Sequence, residues 1–117
     1  MVFHALLTTG WLAKLQESTS LYLNRQSGLG VDEARYLITK DVALIGIDAR
    51  TIEKNPATYK EIALVHQNLI TKNSVLIIEH LDTRGLHKDK VDEFLFVLGI
   101  PKFRETVQGI INPIAIR

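Results

Sequence analysis

The chain predicts an α/β fold: a mixed, partly parallel sheet carrying two or three helices. Three observations lead there. Residues 42–47 (Val-Ala-Leu-Ile-Gly-Ile) and 75–78 (Val-Leu-Ile-Ile) are short continuous apolar runs, the pattern of strands covered on both faces. Segments with helical spacing precede each of them. The order strand, helix, strand, helix, strand then lays helices on a sheet whose strands run parallel.

Taken in order, residues 2–8 are apolar and partly β-branched or aromatic, a strand that ends at Gly10. Residues 11–24 fit a short helix and a loop. Residues 26–30 (Gln-Ser-Gly-Leu-Gly) form a turn. Residues 31–39 form a helix: Val31, Ala34, Leu37 and Ile38 share a face, and Asp32 and Glu33 favour its positive N-terminal end. Residues 42–47 are a buried strand, and residues 48–56 a loop.

Pro56 suits the start of a helix over 57–72. Its apolar stripe holds Tyr59, Ile62, Ala63, Leu69 and Ile70, and His66 falls on it, four after Ile62 and three before Leu69. Residues 75–78 are a second buried strand. Residues 81–90 are a polar loop. Residues 94–100 and 110–116 are two closing strands, expected to pair antiparallel.

At 117 residues the chain is expected to be one domain, 1–117. With 46% hydrophobic residues it can bury a core. Fourteen basic residues face thirteen acidic ones, which leaves no footprint for nucleic acid or an anionic membrane. No apolar run approaches the ~18 residues of a membrane span. Residues 1–9 have no basic leader, so no signal peptide is expected. The chain has no cysteine, which excludes disulfides and thiolate ligands and fits a reducing, cytoplasmic setting.

Two residues stand out as candidate metal ligands. A lone histidine on an apolar helix face is ordinarily a core residue with its nitrogens satisfied. Neutral imidazole is also the commonest metal ligand, so His66 stands open between the two. Glu79 closes an apolar strand thirteen positions later. An ionised carboxylate there is costly unless it is paired or metal-bound, and the carboxyl ends of strands are where open α/β sheets bind ligands. A solvent-facing strand end or a salt bridge is the plainer alternative for Glu79.

Asp48 follows a buried strand and is expected to cap the following loop. His80 is expected on the face opposite Glu79 if the strand continues. His87 reads as solvated, and His4 alternates with Phe3 in the first strand. There is no glycine-rich phosphate loop, no nucleophile elbow and no His-Glu-x-x-His helix.

The order of motifs resembles the C-terminal half of the cyclase-like metal-dependent hydrolases, the family of bacterial kynurenine formamidase and isatin hydrolase. The resemblance rests on Leu7-Thr8-Thr9-Gly10-Trp11, the turn and helix from Leu29 to Ile38, Ile45-Gly46-Ile47-Asp48, Val65-His66-Gln67-Asn68-Leu69-Ile70, Ile78-Glu79-His80-Leu81, and Pro101, Gly109, Pro113 and Ala115. It implies half of a cyclase-like α/β fold. It also implies amide or lactam hydrolysis at a divalent ion, zinc or manganese, with His66 and Glu79 as metal ligands.

The family's signature is a histidine, a second histidine four residues on and an aspartate two further; no histidine here starts that spacing. The Glu-Asn-Leu frequent in the family stands here as Glu79-His80-Leu81. Two expectations follow. The first is an incomplete hydrolase, completed by another chain or a missing half and inactive alone. The second is a non-catalytic module whose uncovered apolar surface makes a homo-oligomer or binds a protein partner.

Overall fold

The computed structural model describes residues 2–54 and 63–117. It has the expected mixed α/β architecture. Strands β1 (Phe3–Leu7), β2 (Val42–Ile47) and β3 (Leu76–Ile78) form a parallel sheet in the order β1-β2-β3, and β4 (Leu95–Val97) pairs antiparallel with β5 (Ile114–Ile116). The central strand coincides with the apolar run, and all its residues but Ala43 are buried.

The described residues hold five α-helices, more than the two or three expected: α1 (Lys14–Glu17), α2 (Thr19–Asn24), α3 (Val31–Ile38), α4 (Leu64–His66) and α5 (Arg84–Lys88). The surplus is short. A 3-10 turn (Trp11–Ala13) leads into α1, and Ser18 then starts α2 by accepting the Leu21 N–H on its hydroxyl at 3.2 Å. Helix α5 occupies the stretch expected as a polar loop. One turn and a half without an apolar stripe carries no periodic signal.

Helix α4 runs on into a π-helical turn (Gln67–Thr71). Ala63, at its N-terminal boundary, has φ of 60° and breaks any continuous helix there. The expected helix start at Pro56 and the stretch 57–62 lie outside the described residues. Strand β3 is less covered than its sequence suggests: Ile78 is buried, but Leu76, on the same face, is exposed.

The core gathers Ala34 of α3, Ile45 and Ile47 of β2, Val65 and Leu69 of the α4 segment, and Ala49 and Ile52 of the loop after β2. On the other face of the sheet, Leu44 lines a cavity of about 300 Å³ with Leu98, Phe103 and Ile111 of the C-terminal stretch.

Register puts the site at one end of the sheet. Leu7 pairs with Ile47, and Gly46 with Ile78, so the three strands finish level. The segments that follow them, 8–10, 48–54 and 79–82, therefore emerge side by side at the carboxyl end. The second is pinned from outside. Leu29 forms an isolated bridge with Glu53, its N–H donating to the Ile52 carbonyl at 2.8 Å while the Lys54 N–H donates to the Leu29 carbonyl at 3.2 Å. The backbones approach so closely that a Cβ at Gly28 would lie 2.5 Å from the Glu53 carbonyl carbon.

Candidate functional site

Asp48, directly after β2, is 2% exposed. It accepts the Thr9 N–H at 2.8 Å and hydroxyl at 2.6 Å on Oδ1, and the Gly10 N–H at 2.8 Å on Oδ2. It is a structural cap, as expected, but for the loop after β1 rather than its own. Gly10 has φ of 75°, a left-handed turn that glycine takes without a Cβ penalty.

His66 and Glu79 do meet. His66 Nε2 lies 3.3 Å from Glu79 Oε1. Glu79 Oε1 also accepts the Ile52 N–H at 2.8 Å, and the Thr51 side chain bonds the same carboxylate. A third residue, absent from the sequence-based expectation, completes the cluster. Glu53 Oε1 lies 3.0 Å from His66 Nδ1 and accepts the His66 backbone N–H at 3.1 Å. The imidazole sits between two carboxylates, each on its own ring nitrogen.

The charges reinforce one another. The hydrogen bond to Glu79 raises the His66 pKa, burial works against it, and the bond to Glu53 raises it further. Burial alone would raise the Glu79 carboxyl. The bonds from His66, the Ile52 N–H and Thr51 outweigh that and hold it below its ordinary value. An imidazolium donating from both nitrogens is the satisfied state of this cluster when no metal is bound.

Zinc–nitrogen and zinc–carboxylate bonds are short, and two of them at a tetrahedral angle hold their ligand atoms about 3.4 Å apart. The Nε2–Oε1 separation matches that spacing, and Glu53 holds the opposite nitrogen as outer carboxylates do for ligating histidines. The pair thus fits two positions of a metal site. Among the described residues no group of three or more His, Cys, Asp or Glu is arranged to hold an ion.

His80 departs from expectation. The strand stops at Ile78, and His80 adopts φ of 56°, so the alternation that would send it to the opposite face is broken. Its N–H donates to the Ala49 carbonyl at 2.8 Å, and the Leu81 N–H donates to the Ile47 carbonyl at 3.0 Å, which hold the kink. Glu79 and His80 line one cavity of about 690 Å³ between the end of β3 and residues 108–113. His80 Nδ1 meets the buried Tyr22 hydroxyl at 2.7 Å. Burial, reinforced by Asp48, raises the Tyr22 phenol pKa.

His4 stacks obliquely on Phe96, and His87 is exposed on α5; neither joins the site. Glu53 and Tyr22 were hidden in the sequence. Glu53 is a loop carboxylate whose placement depends on the bridge to Leu29, and Tyr22 falls in a segment without clear periodicity. The one available hint for Glu53 was its position after the β2 strand end, where such folds gather ligands.

Comparison with protein-family models finds no match, and searches among curated proteins and solved structures find none either. No helix among the described residues is long and apolar enough to cross a membrane.

Proposed function

We propose that the chain is the C-terminal half of a cyclase-like metal-dependent amide hydrolase, holding two of the ligands of a divalent ion and inactive alone. The observation that carries this reading is the 3.3 Å approach of His66 Nε2 to Glu79 Oε1, with Glu53 engaging the far nitrogen. His66 and Glu79 would hold zinc or manganese, and a complementing chain or a missing half would supply the other donors. Once bound, the ion supplies Lewis acidity at an amide or lactam carbonyl. Glu53 fixes the ring orientation, and the Ile52 N–H and Thr51 fix the Glu79 carboxylate. The lack of cysteine fits a cytoplasmic setting.

Elemental mass spectrometry of the native protein, scaled to chain concentration, tests the reading. Uptake of zinc or manganese from excess ion is expected, weak in the chain alone because two ligands are present and up to one ion per dimer where a second copy adds donors, and it should fall in His66→Ala and Glu79→Ala. No metal after incubation with excess ion overturns it.

The exposed C-terminal ribbon favours a second reading, a non-catalytic interaction module. Leu95 and Val97 of β4 and Ile114 and Ile116 of β5 are all exposed, although they lie on paired strands. A two-stranded ribbon is marginal by itself, and exposed apolar strands invite a partner. A second copy of the chain is the simplest one.

A further inference from the structure

The cavity beside Glu79 contains a second polar device, made of His80 and Tyr22. His80 is held in a left-handed conformation, uncommon for a residue with a side chain. Two backbone hydrogen bonds hold it there, and strain of this kind gathers at binding sites. Its Nδ1 faces the Tyr22 hydroxyl. Among the described residues that hydroxyl has no other hydrogen-bond partner. Were it to accept, a buried O–H would go unpaired at a cost of about 1–3 kcal/mol. Tyr22 therefore donates, and the imidazole proton sits on Nε2. His80 is an exposed residue on the cavity lining, and its Nε2 has no protein partner among the described residues.

We propose that His80 is a ligand-binding residue that donates its Nε2–H to the carbonyl oxygen of a small neutral molecule, with Tyr22 as the positioning residue that fixes its tautomer. The cavity selects that chemistry. Ile110, Ile111 and Pro113 offer an apolar wall. Glu79 and Asp82 line it too, each already paired, with His66 and Arg84, and no lysine or arginine is among the lining residues, so a ligand carboxylate would meet no counter-charge there. A neutral carbonyl takes the Nε2–H and needs no counter-charge. The choice of an amide as the carbonyl rests on the hydrolase reading; the tautomer does not.

The test uses the full chain, metal-free, with long-range proton–nitrogen spectra of the histidine rings. In the wild type, His80 should carry its proton on Nε2, and Tyr22→Phe should mix the two tautomers. Formanilide, a neutral aromatic amide, should shift the His80 Nε2–H saturably. Aniline, which lacks the carbonyl, should not. His80→Phe should weaken formanilide binding about tenfold, the loss of one hydrogen bond. A wild-type proton on Nδ1, an equal response to aniline, or no response at the solubility limit of formanilide overturns the proposal. Failure of the hydrolase reading is registered separately, by metal content.

Discussion

Glu53 Oε1 accepts the backbone N–H of His66 at 3.1 Å and lies 3.0 Å from that residue's Nδ1. One oxygen thus holds both the ring and the helical turn that carries it. The His66 N–H is among the first in α4, where no carbonyl of the helix can reach it. Glu53→Ala should cost about 1–3 kcal/mol by leaving that donor without its acceptor. Glu53→Gln keeps a neutral acceptor and should recover part. Urea denaturation measures both, and equal stability of the Ala variant and the wild type would show that the contact contributes nothing.

Asp48 should be more sensitive. Three donors converge on its carboxylate and tie the end of β1 to the end of β2. Asp48→Asn places an amide NH2 against a donor, and a loss of about 2–4 kcal/mol is expected for disrupting a buried charge-assisted cluster. A loss under 0.5 kcal/mol, roughly the scale of a neutral surface substitution, would count against the cap.

The His66–Glu79 pair predicts a pH window. His66 has a raised pKa, so its contribution is complete below its ordinary 6.5 and fades as pH climbs through the raised value. Glu79 has a lowered pKa, so its contribution is complete above its ordinary 4.5 and fades as pH falls through the lowered value. In the metal-free chain, the stability difference between wild type and His66→Gln should peak between these two ordinary values. Thermal melts across pH check it; a difference that grows steadily above the upper value reverses the sign and rejects the pairing.

The exposed faces of β4 and β5 predict self-association. Light scattering at micromolar concentration should give more than one chain per particle, and Leu95→Lys with Ile116→Lys should reduce it. A wild-type monomer removes the homo-oligomer.

The sheet was legible because burial writes itself into composition. Residues 42–47 are apolar throughout and form β2 with those bounds. Helix α3 was legible from the spacing of Ala34, Leu37 and Ile38. Helix α5 was not, since a five-residue helix has no period to detect. His66 and Glu79 were legible as a pair because each sits on an element with a clear pattern. Glu53 joins them through loop geometry set by a strand-like bridge to Leu29, a contact with no local signature. His80 reaches the cavity through a left-handed backbone that its residue type does not announce.

Gly28 is chemically mute, yet it governs the imidazole from a distance. The missing methyl there is the clearance that lets the Glu53 backbone close onto Leu29. Gly28→Ala would push that loop outward and withdraw the carboxylate from Nδ1. His66 would then keep one anionic neighbour instead of two, with every polar residue still in place. A survey of the site confined to its charged side chains would overlook the position that sets its aim.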